Sequence, residues 1–183
     1  GEFGGQAIAE ALFGDYNPGG RLAVTFPKSV GQIPFAFPFK PGSDESSETS
    51  VYGALYPFGH GLSYTTFQYS DLVISPSKQG VQGNISISCT IKNIGQREGD
   101  EVVQLYLRDE VSSVTTYTQV LRGFERITLK PEASHTVHFE LTPQELGIWD
   151  KQMNFTVEPG MFKVMIGSSS KDIRLKGEFE IAQ

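Results

Sequence analysis

With 183 residues the chain is long enough for one sizeable domain, or for a domain of roughly 100–120 residues with something attached. A net charge of −6 without a basic stripe argues against a nucleic-acid partner or an anionic membrane surface, and the short apolar runs fall far below the ~20 residues of a membrane span. The single cysteine, Cys89, excludes an intrachain disulfide and a cysteine-based zinc cluster.

The chain opens on GEFGGQAIAEALFG, without an initiator Met or a signal-peptide core, and reads as a segment of a longer protein with a helix already under way. Ile8, Leu12 and Phe13 form the apolar stripe of that helix, and Gly14 is placed to end it. In GDYNPGGRLAVTFP, residues 14–27, Asp15 and Asn17 favour a turn and Pro18 forbids further helix. Gly19 and Gly20 are expected to take positive φ before the strand-like residues 22–26. A phosphate loop carries its glycines between a strand and the start of a helix; here the helix comes first, so a redirecting turn without ligand is expected. The carboxylates Glu2, Glu10 and Asp15 flank this helix, where the dipole and the turn amides account for them without catalysis.

Further along, Phe35, Phe37 and Phe39 alternate in PFAFPFK. They either present aromatic faces to a sugar or bury apolar surface against another domain. Residues 39–50 form a polar, acidic stretch without periodicity, and proteolysis is expected to begin within residues 43–50. His60, flanked by Gly59 and Gly61, either reaches a neighbouring pocket or bonds locally across a domain junction.

From Tyr69 onward the period becomes two. Ile85, Ile87, Cys89 and Ile91 share one face, as do Val103, Leu105 and Leu107. Val137, Phe139 and Leu141 repeat the pattern, followed by Phe162, Val164 and Ile166, then Ile173, Leu175, Phe179 and Ile181. Such half-buried strands separated by turn signals predict an antiparallel β-sandwich of about seven strands, immunoglobulin or fibronectin type III in style. Cys89 reads as a buried structural thiol, and Thr142-Pro143 as the start of one short helix. Tyr106 falls on the outward face, as one of a few scattered aromatics there. His135 and His138, three apart on a strand, point to opposite faces and cannot chelate one metal.

Three stretches, GGQAIAEALFGDYNPGGRLAVTFPKSVGQIP, YPFGHGLSYTTFQYS and LRGFERITLKP, together resemble the C-terminal end of a family 3 glycoside hydrolase. The resemblance runs over nearly the whole chain; Phe3 stands where the family more often has glutamate, and His60 where tyrosine is common. It implies that residues 1–64 are the remnant of an α/β sandwich domain and residues 65–183 a fibronectin type III-like β-sandwich. It also implies a parent that is a retaining, exo-acting β-glucosidase or β-xylosidase, working outside the cytoplasm, in the periplasm or the extracellular space.

Retaining hydrolysis needs two carboxyl groups about 5–5.5 Å apart. By the same resemblance the nucleophilic aspartate lies in a barrel and the acid/base glutamate upstream in the α/β domain, so no catalytic residue is assigned here. Phe37, Phe39 and His60 are candidates for the rim of the substrate site; no metal and no cofactor are expected. The expected partners are the barrel and α/β domains of the parent, oligo- or aryl β-glycosides through that parent, and a second copy of the chain through residues 1–64. Two other readings stay open: a free-standing carbohydrate-binding or adhesion module, which calls for exposed aromatics on the sandwich, and a spacer that braces catalytic domains.

Overall fold

In the computed structural model, which describes residues 1–43 and 53–183, the period-two runs are strands and the opening run is a helix. The front segment holds α1 (Gly4–Phe13), β1 (Phe26–Pro27), a 3-10 turn (Val30–Gln32) and β2 (Ala54–Tyr56). There follow β3 (Phe67–Ser75), β4 (Lys78–Gly80), β5 (Ile85–Asn93), β6 (Gly99–Asp109), β7 (Val120–Leu129) and β8 (Ser134–Leu141). The chain closes with α2 (Pro143–Leu146), β9 (Ile148–Trp149), β10 (Phe155–Thr156), β11 (Gly160–Gly167) and β12 (Ile173–Ala182). Residues 44–50, where cleavage is expected, lie outside the described residues.

Two sheets face each other, one of three strands in the order β3-β5-β8 and one of five in the order β4-β12-β11-β6-β7. All these pairings are antiparallel except that of β4 with β12, so the expected sandwich acquires one short parallel edge. The alternation seen in the sequence is the burial pattern: Ile85, Ile87, Cys89 and Ile91 are buried from one sheet, and Val103, Leu105, Val164, Ile166, Phe179 and Ile181 from the other. Phe162 and Phe179 are register partners whose rings stack at 5.3 Å. Burial pushes the Cys89 thiol up to about 11, which fits a packing residue rather than a nucleophile.

One end of the sandwich is held by Asn93, a fully buried amide. Its Nδ2 donates to the carbonyls of Arg97 and Leu129, and its Oδ1 accepts from the Thr65 hydroxyl and the Gly95 amide. Every polar group is thus satisfied, as burial requires. At the other end α2 starts on Thr142, whose hydroxyl accepts from the Gln144 amide while the Glu145 carboxylate accepts from the Thr142 amide, the expected cap.

In the front segment α1 ends at Gly14, left-handed at φ 83° as expected. Gly19 and Gly20, however, are not in the positive-φ region. Gly19 is buried against Asp100, and an added β-carbon would lie 2.5 Å from Asp100 Cβ, so this glycine serves close approach rather than an unusual backbone angle.

Candidate functional site

The outward face of β6 is where the front segment and the sandwich meet. Gln104 and Tyr106, outward by alternation, are buried at 3% and 0% exposure. The expectation of an exposed Tyr106 is therefore corrected: the strand is covered on both faces because Phe37 and Gly59 lie over it. Gln104 Nε2 donates to the Gly59 carbonyl at 3.2 Å and the Ser168 carbonyl at 2.6 Å, and the Tyr106 hydroxyl donates to Gln104 Oε1. Gly59 takes φ 80° and leaves no room for a β-carbon, which would lie 2.0 Å from Gln104 Oε1. Leu22 N–H donates to the His60 carbonyl and Gly59 N–H to the Leu22 carbonyl, which ties the front segment to itself beside the seam, and Ser170 N–H donates across the seam to the Phe58 carbonyl.

Next to this seam lies a buried ion pair. Arg21 Nη2 sits 2.6 Å from Glu101 Oε1, with the two side chains 10% and 5% exposed. Arg21 also donates to the Gly19 and Gly20 carbonyls, and the Val102 amide donates to Glu101 Oε1. Burial holds the Glu101 carboxyl above its ordinary range, and Arg21 opposes that shift. The Tyr69 hydroxyl, buried close by, is raised by desolvation and further by the Glu101 charge. Asn17 provides a third tie: its Nδ2 donates to the Glu98 carbonyl, and its Oδ1 accepts from the Ser63 hydroxyl and the Tyr64 amide. The turn that redirects the chain is thereby fastened to the sandwich.

The candidate rim residues sit around this seam. Phe37 stacks on Phe58 at 4.5 Å and meets Tyr106 and Phe39 edge-on, so its ring is engaged within the chain. Phe39 is half-buried, with its carbonyl accepting from the Thr118 amide and Lys171 Nζ 5.8 Å from its ring centre. His60 stacks on Tyr56 at 5.1 Å, and its backbone is bonded to Leu22 and Pro57. The cleft among Phe35, Phe37, Phe39 and Phe58 has a volume of about 20 Å³, room for a single water and not for a sugar ring. Sequence reasoning missed Arg21, Glu101 and Gln104. The only signal for them was their type, since each is a long polar side chain beside a strand position that must be buried.

Residues 1–64 match the glycosyl hydrolase family 3 C-terminal domain, and residues 101–170 match the fibronectin type III-like domain. The chain is 44% identical over 190 residues to the periplasmic β-glucosidase of Salmonella typhimurium, covering 97% of this chain and 25% of that protein. It is 43% identical to a β-xylosidase of Formosa agariphila, covering 94% of this chain and 24% of the relative. Among solved structures, a β-glucosidase from Erythrobacter marinus superposes with a TM-score of 0.91 at 38% identity, over 98% of this chain and 24% of that one. The β-glucosidase of Listeria innocua in complex with glucose gives 0.87 at 32%, over 98% of this chain and 26% of that one. The chain thus spans about a quarter of the length of these relatives. Two family matches in this order, with kinship across nearly all its length, make it the C-terminal portion of a family 3 glycoside hydrolase.

Proposed function

We propose that the chain serves an exo-acting β-glycosidase that removes glucosyl or xylosyl units, with residues 65–183 bracing an α/β domain to which residues 1–64 belong. The observation that carries this reading is the double burial of β6: a sandwich strand is covered on its outer face by the front segment and joined to it by the Arg21–Glu101 pair. The front segment also keeps an open apolar patch on its helix, with Ile8 at 62%, Leu12 at 72% and Phe13 at 85% exposure. Such a patch calls for a cover, which the rest of the α/β domain would supply, or failing that a second copy of the chain. The substrates would be oligo- or aryl β-glycosides. Phe39 and His60 are the candidates kept for the rim of the substrate site, while the packing of Phe37 supports a fastening role. Periplasmic or extracellular action is in keeping with the Salmonella relative, which is named periplasmic.

The test uses the longer protein. It should hydrolyse aryl β-glucosides or β-xylosides, and Glu101→Gln within it should speed thermal inactivation while leaving kcat/KM unchanged at low temperature. Absence of hydrolysis on both substrate classes defeats the enzymatic reading, and unchanged inactivation defeats the bracing role.

A further inference from the structure

At the α2 end of the sandwich lies a surface that the function above does not use. Trp149, the only tryptophan of the chain, is 59% exposed, and Phe155 is 47% exposed. They are register partners on the β9–β10 hairpin, with rings edge-to-face at 5.5 Å. We infer that this pole is a binding platform for an uncharged β-linked oligosaccharide, with Trp149 as the face on which a pyranose ring stacks.

Three features support this assignment. The first is rigidity. Phe155 is pressed against the backbone at Gly147, where an added β-carbon would lie 2.3 Å from its Cζ, and it props the indole from the side. The hairpin turn is closed by Asp150, whose Oδ1 accepts from the Gln152 amide at 2.8 Å and the Asn154 amide at 2.9 Å. A platform already ordered pays little to bind.

The second is space. The cleft beside the indole has a volume of about 770 Å³, enough for several sugar units. The third is chemistry. Besides the two aromatics it is lined by Val81, Pro143 and Val157, and its polar side chains are Gln82, Gln144 and Thr156. These carry no charge, so an ionic ligand would lose its hydration without compensation. A pyranose offers what the lining matches: C–H faces for the electron-rich ring and hydroxyls for amides that both donate and accept. Pro143 and Gln144 are in turn held by the α2 cap.

The choice of β-1,4-glucan and xylan as ligand rests on the function proposed above. Because Trp149 is the sole tryptophan, its emission reports the site directly. Cellohexaose and xylohexaose are titrated into the full chain. The expected result is a saturable change with half-saturation in the millimolar range or below for at least one sugar. Gln144→Ala should raise that midpoint about two- to ten-fold, the worth of one hydrogen bond, at unchanged thermal midpoint. By calorimetry Trp149→Ala should abolish binding. An unsaturable signal, or equal binding in Trp149→Ala, overturns the inference. So does emission that shifts on dilution without sugar alongside a light-scattering dimer, which would make this face a contact between copies. Hydrolysis by the longer protein is measured separately: hydrolysis without binding here sinks only this platform, and binding here without hydrolysis sinks only the enzymatic reading.

Discussion

Gly19 and Asp100 touch so closely that a methyl group on the glycine would lie 2.5 Å from the aspartate β-carbon. A methyl group on its neighbour Gly20 would meet nothing within 4 Å. Gly19→Ala is therefore expected to lever the turn off β6 and cost about 1–3 kcal/mol, as overpacking does, whereas Gly20→Ala should stay within about 0.5 kcal/mol. Hydrogen exchange at the Leu22 and Tyr64 amides, which donate to the His60 carbonyl and to Asn17 Oδ1 on either side of the turn, reads the difference. Equal protection in the two variants would show that the approach is not tight.

Glu101→Gln should cost about 3–5 kcal/mol, because it leaves the buried Arg21 guanidinium without its counter-charge. Replacing both partners, Arg21→Met with Glu101→Leu, should recover most of the loss, since an apolar pair needs no desolvation of charge. Chemical denaturation of the single and double variants checks this. A double variant as unstable as Glu101→Gln would mean that the pair holds the seam by more than mutual neutralisation.

Phe139 packs on the core from β8, its ring 2.9 Å from where a β-carbon on Gly123 would stand. Phe139→Ala is expected to lower stability by about 3 kcal/mol in urea melts, near the lower end for a buried phenylalanine because the residue is only half-buried. A loss under about 1 kcal/mol would indicate that β7 closes over the cavity.

The Asp100 carboxyl is held below the usual carboxylate range by the Thr128 hydroxyl, which donates at 2.6 Å, and by Arg126. The unfolded chain protonates this group near pH ~4, whereas the folded chain resists until lower pH. Across that window the unfolded state binds more protons, so stability rises with pH and is lost as pH falls through the lowered value. Asp100→Asn should flatten the acid limb of a stability–pH profile. An unaltered slope would show that the bond to Thr128 does not distinguish folded from unfolded chain.

The chain by itself should not hydrolyse aryl β-glucosides or β-xylosides, because the resemblance places both catalytic carboxylates outside it and oriented dipoles cannot replace a nucleophile. Turnover at even about a hundredth of the longer protein's rate, from contaminant-free material, would contradict this.

The sandwich core was legible because strands buried on one face alternate in sequence; Ile85, Ile87, Cys89 and Ile91 announce their sheet. β7 was not read as a strand: Gly123 interrupts it and Phe124 is 67% exposed, so its apolar residues do not alternate cleanly. Gln104 and Tyr106 were hidden for a different reason. Their burial comes from a segment that lies far off in sequence, and periodicity within one strand carries no information about a second cover. Trp149 was passed over because its hairpin has two-residue strands, too short to show any period.

Joined as they are, the two parts do not exchange independently. A chimera that takes the sandwich from one relative and the front segment from another would set Glu101 against a foreign residue 21 and Tyr106 against a foreign residue 37. Each mismatch strands a carboxylate or an aromatic edge that the donor had completed. For domain shuffling among such proteins, the inheritable unit is therefore the helix, its turn and the sandwich carried together.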